Sequence, residues 1–190
     1  MDVLEGLSDR DDFPPLILIT AFGNPETHEM ARRLGALALL LPAPEDAAHR
    51  AYLGLTSADP FKISQIKAQV VIIEIFSMYC PHCQREAPTV NTFFQKIETN
   101  PKFKDTVKLI GIGAGNSLFE INFFKKKYAV PFPLFPDADF TIHQKIGEVR
   151  TPYFIGVKIE NGSATIYYSQ LGGPEDSRQF LEKLISKAGL

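Results

Sequence analysis

Residues 80–83 read Cys-Pro-His-Cys and hold the only two cysteines of the chain. Two thiols at this spacing suit disulfide exchange: one attacks a disulfide and the other resolves the mixed disulfide that results. If Cys80 stands at a helix N-terminus, unpaired backbone N–H groups and the positive end of the helix dipole stabilise its thiolate. Cys83 then lies one turn further in. A Cys pair can also be half of a zinc site or two core residues. Zinc requires four ligands, there is no second Cys pair, and the other histidines (His28, His49, His143) are scattered. Redox chemistry is therefore the preferred reading, with neither metal nor cofactor expected.

Further residues line up with the pair. Glu74, six before Cys80, interrupts the apolar run Val70-Val71-Ile72-Ile73-Glu74-Ile75-Phe76. A carboxylate in a buried strand is costly, and burial raises its pKa, which suits a proton carrier for Cys83; an edge-facing Glu with one wet face is the plainer alternative. His82 can add positive charge or a hydrogen bond to the Cys80 thiolate. Thr151-Pro152 precedes a strand, and a cis bond there would set the Thr151 backbone beside the sulfurs to receive an extended substrate. Ser77, three before Cys80, with Arg150, admits a thiol peroxidase as an alternative. Phe76, Met78 and Tyr79 read either as an apolar apron around the sulfurs or as core.

Positioning these groups requires a strand at Val70–Phe76 and a helix from Pro81 to about Glu98 containing Pro88. Downstream the pattern predicts a strand at Val107–Gly113 and a helix at about Ser117–Tyr128. An extended piece at Pro131–Phe135 and a helical stretch at Asp139–Gly147 come next. Strands at Tyr153–Ile159 and Ala164–Leu171 form a hairpin around Asn161-Gly162, the strongest turn signal present. The last helix, Glu175–Lys187, carries Phe180, Leu181, Leu184 and Ile185 on one stripe.

The 190 residues suit one domain plus an extension. A net charge of −2 gives no reason to expect nucleic acid or an anionic membrane as partner. No apolar stretch is long enough to span a bilayer. Met-Asp-Val-Leu-Glu lacks the features of a secretory signal, so the chain as it stands reads as cytoplasmic, or periplasmic if a signal has been removed. Upstream, Leu16–Ile19 and Ala36–Leu41 read as strands around a helix at His28–Leu34. The division expected is an extension at 1–41, a linker at 42–60 and a main domain at 61–190.

Residues 3–42 resemble the C-terminal half of a response-regulator receiver, through PPLILITAFGNPET, with its Thr20-Ala21, and ARRLGA. The phosphoacceptor strand has no room upstream, and Leu41 replaces the lysine expected before Pro42. No phosphoryl transfer is expected. A structural remnant or docking flap is.

The set Glu74, Cys80-Pro81-His82-Cys83, Pro88 and Thr151-Pro152 is similar in order and offset to the thioredoxin superfamily. FKISQIKAQVVIIEIFSMYCPHCQREAP resembles the TlpA/ResA-type (redoxin) thiol–disulfide oxidoreductases over residues 42–190. PFPLFPDADFTIHQKIGEVRTPYF resembles redoxin proteins. The resemblance implies a three-layer α/β/α fold with a central insertion between Val107 and Pro152. It also implies Cys80 as attacking thiol, Cys83 as resolving thiol, Glu74 as buried acid and Pro152 as a cis-proline. The Pro81-His82 dipeptide is that of strongly oxidising DsbA-type proteins, which leaves the direction of electron flow open. Protein dithiols or disulfides and a further redox partner are the expected partners of a monomer. The alternative from another class is a redox-sensing module that recruits a partner through residues 1–41.

Overall fold

The structure, a computed structural model, describes residues 39–174 and 176–190. The expected elements at Leu16–Ile19 and His28–Leu34, and nearly all of the receiver-like segment, lie outside the described residues. Its last residues do not. Leu40–Leu41 (β1) pairs antiparallel with Phe61–Lys62 (β2), and Leu39 and Leu41 are buried.

Between these strands runs helix α1, Ala47–Leu53. The Asp46 carboxylate accepts from the Ala48 N–H, and Gly54 closes the helix at φ 70°, where a side chain would be strained. Residues 42–60, expected as a linker, thus contain a capped helix. Propensity does not explain a helix this short. Leu53 is fully buried, and the Tyr52 hydroxyl accepts from the Leu109 N–H at 2.8 Å.

The main sheet has the order β5-β4-β3-β6-β7. The apolar run Val70–Phe76 is β3, buried at all seven positions, and it pairs parallel with β4 (Val107–Ala114) and antiparallel with β6 (Tyr153–Glu160). Between β3 and β4 lies α2, Pro81–Glu98, which runs through Pro88 unbroken. Ser117 caps α3, Leu118–Tyr128, in a reciprocal capping box with Glu120. The short β5 (Leu134–Asp137) joins β4 only from Gly111 onward. Next come α4, Thr141–Lys145, and the β6–β7 hairpin. Its turn places both Asn161 (φ 51°) and Gly162 (φ 76°) at positive φ, as a two-residue turn between twisted strands demands. Strand β7 is Ser163–Leu171, and α5, Ser177–Ala188, starts on an Asp176 cap.

Side-chain alternation divides the core between the two faces of the sheet. Val70, Ile72, Phe76, Leu109 and Phe154 pack with Cys83, α2, α3 and α5. Val71, Ile73, Ile75, Ile110 and Ile112 pack with β1, α1, β2 and Ile142 of α4. The redox motif belongs to the first face.

Candidate active site

Cys80 is the N-cap of α2, and Pro81 occupies its first turn, where a missing N–H costs nothing. The Cys80 Sγ accepts from the Cys83 N–H at 3.4 Å and donates to the Thr151 carbonyl at 3.3 Å. Burial by itself would push this thiol up. The Thr151 hydroxyl, the Cys83 thiol and the backbone N–H groups of Cys83 and His82 outweigh burial and hold it below the ordinary thiol value. Cys83 is fully buried, and burial drives its thiol far up. One sulfur is reachable with its thiol held down, and the other is a shielded thiol. Both are free.

The Thr151–Pro152 peptide is cis. The chain there runs next to Cys80, with the Thr151 carbonyl against the sulfur, and the Pro152 carbonyl accepts from the Gly172 N–H at 2.9 Å.

Glu74 is 4% exposed on the central strand. Neighbours on both sides rule out the edge-facing alternative. Burial, then the nearby Glu86 carboxyl, then Cys80 push its pKa up to about 8. It is a proton-bearing group at neutral pH, and it in turn raises Cys83.

Glu86 is the residue that sequence reading missed. It lies one turn beyond Cys83 on α2, its Oε2 buried without a hydrogen-bond partner among the described residues. Gly173 closes over it so tightly that a Cβ there would stand 2.0 Å from Oε2. The only hint in sequence is an acid three residues after Cys83, a spacing that returns to the same helix face.

His82 was expected to offer the Cys80 thiolate a positive charge or a hydrogen bond. Its exposed ring takes a hydrogen bond from the Arg85 guanidinium at Nδ1, 2.7 Å away. A guanidinium only donates, so Nδ1 is the acceptor of this contact. What His82 gives the Cys80 thiolate is its backbone N–H.

Ser77 accepts from the Cys80 N–H through its carbonyl and from Asn116 Nδ2 through its hydroxyl, at 3.4 Å. Arg150 is exposed. Of the apron residues, Phe76 is core, Met78 is half-buried and Tyr79 is 64% exposed, its phenol donating to Glu120. Among the described residues no cluster of side chains suited to hold a metal ion occurs, and no helix is long and apolar enough to cross a membrane.

A family model described as the AhpC/TSA family matches residues 43–166. No curated protein matches the chain. A secreted Mycobacterium tuberculosis disulfide oxidoreductase homologous to E. coli DsbE is similar in structure at 16% identity. Its TM-score is 0.57, over 80% of this chain and 97% of that one. The M. tuberculosis protein DsbF gives the same identity, TM-score and coverage. StoA from Bacillus subtilis is 20% identical, with a TM-score of 0.54 over 76% of this chain and 93% of its own. These likenesses show a thioredoxin-like fold.

Proposed function

This chain belongs to the AhpC/TSA family, a thioredoxin-like oxidoreductase, and from that premise we propose that it exchanges disulfides with protein substrates through Cys80 and Cys83. The observation that carries the reading is the contrast between the two sulfurs: Cys80 lowered and reachable, Cys83 raised and buried beside a proton-bearing Glu74.

In the reducing direction the Cys80 thiolate attacks a substrate disulfide. An S–S bond forms between Cys80 and one substrate sulfur, and the other substrate sulfur leaves as thiolate. Once Glu74 has released its own proton to solvent, it accepts the Cys83 proton, and Cys83 attacks the Cys80 sulfur. The second substrate sulfur leaves, the Cys80–Cys83 disulfide has formed, and the substrate has gained two electrons. Oxidation of a substrate dithiol is the same path reversed. An extended substrate segment pairs with the backbone at Thr151, beside Pro152. The names of the similar solved proteins, disulfide oxidoreductase among them, support this reading.

We also place the start of the folded unit at or before Leu39, because Leu39, Leu41 and Leu53 share one core cluster with Ile73 and Ile75 of β3.

The test is trapping. A Cys83→Ser variant mixed with a disulfide-bonded protein such as insulin is expected to accumulate a mixed disulfide through Cys80, and Cys80→Ser is not. Equal alkylation rates for the two thiols near neutral pH would sink the assignment.

A further inference from the structure

Met78, two residues before Cys80, has both polar groups of its backbone held by side chains. Its N–H donates to Asn116 Oδ1 at 2.8 Å, and its carbonyl accepts from Gln84 Nε2 at 2.7 Å. Gln84 belongs to the redox helix. Asn116 does not: it follows the end of β4, far away in sequence, and is completely buried. A buried amide is tolerated only when its hydrogen bonds are made. Here they are made to the active-site loop, since Nδ2 reaches Ser77 Oγ as well. Ser77 in turn closes the turn by accepting the Cys80 N–H at 3.1 Å, and its backbone hydrogen-bonds to Cys83.

The main chain of Asn116 extends the same network towards the other wall of the site. Its carbonyl accepts from the Asp137 N–H at 3.1 Å. The Asp137 carboxylate, 3% exposed, accepts from the N–H groups of Ile142 and His143, both at 2.8 Å. His143 Nε2 bonds the Val149 carbonyl at 2.8 Å, two residues before Thr151. Space for the hub is provided at Gly113, where a Cβ would crowd the Asn116 side chain at 3.1 Å and Ile121 at 2.8 Å.

We propose that Asn116 is a positioning residue for the redox pair, a buried hub that fixes the Ser77–Cys80 loop on one wall and, through Asp137 and His143, the Thr151 loop on the other. The inference rests on the disulfide-exchange reading and adds to it what sets the separation between Cys80 and Thr151. That separation matters because the Thr151 hydroxyl is among the groups holding the Cys80 thiol down. A charge-assisted hydrogen bond weakens quickly as it lengthens.

The test combines a variant with a measurement on the unaltered protein. Asn116→Ala is expected to move the midpoint of the Cys80 alkylation–pH profile up by about one unit and to make the reduction potential of the pair more negative. A variant that melts earlier yet keeps both profile and potential overturns the proposal, because a merely structural asparagine would do that. If Asn116→Ala does not fold, hydrogen exchange on the wild-type protein decides. A Met78 amide protected like those of β3 is the expected result, and one exchanging at the rate of an exposed loop overturns the hub. Failure of the underlying reading looks different, for then the wild-type protein itself shows no exchange with a disulfide.

Discussion

Glu74 and Lys108 are both charged residues in adjacent, fully buried central strands, on opposite faces of the sheet. Lys108 is surrounded by compensation. Its ammonium donates to the Lys104 carbonyl at 2.5 Å, stands 4.3 Å from the centre of the Tyr52 ring and lies 3.9 Å from Glu98. Glu74 meets the reverse: a second carboxyl, Glu86, and a sulfur that works as an anion. A buried charge with opposite or polar partners is a structural element. Among like charges a carboxyl holds a proton and can release it. The identity of the neighbours, not the burial, separates the two roles.

Replacing each residue tests that difference. The largest effect is expected for Glu74→Gln, which leaves attack by Cys80 nearly unchanged and slows resolution by Cys83 about 100-fold; rapid mixing separates the steps. The same variant should alter the pH dependence of stability. Glu74 titrates near 4.5 in an unfolded chain and at about 8 when folded. Between these values the folded state holds a proton that the unfolded state releases, so stability falls as pH rises through this window, by up to a few kcal/mol. Glu74→Gln should flatten that slope in denaturant titrations at pH 5 and pH 8. If both kinetic steps slow alike, Glu74 is a structural group and the comparison breaks.

Lys108→Met keeps the aliphatic stem and discards the charge. It should cost about 2 kcal/mol by denaturant unfolding while exchange per folded molecule stays at the wild-type rate. A change in the Cys80 alkylation profile would mean that the second face also serves the chemistry. The smallest effect is expected for Tyr52→Phe, which keeps the ring beneath Lys108 and removes the hydroxyl from Leu109, at about 1 kcal/mol. A loss as large as that of Lys108→Met would show that the ammonium depends on the phenol rather than on the ring.

What was legible in the sequence follows the range of the interactions involved. Strand β3 and helix α2 could be read because an apolar run and a CxxC pair are local signals. The β6–β7 turn could be read because Asn-Gly is suited to positive φ. Glu74 stood out as a charge in an apolar run. Glu86 did not, because an acid on a helix ordinarily faces water, and it is buried only once the loop at Gly173 folds back onto α2. Helix α1 was missed for the same reason: seven residues, AAHRAYL, carry little periodicity, and their fixing partners are Leu109 and the core of another face.

Tyr52 also covers backbone at the side of β4 that β5 leaves bare. Because β5 joins β4 only from Gly111 onward, the outward-facing N–H and C=O of Leu109 have no strand to pair with among the described residues, and the Tyr52 hydroxyl accepts from one and donates to the other. A bare strand edge is a template on which a foreign strand can add. A chain trimmed to begin at Phe61 would retain every redox residue but lose this cover together with the buried Leu39, Leu41 and Leu53, leaving both a bare strand edge and an uncovered core face.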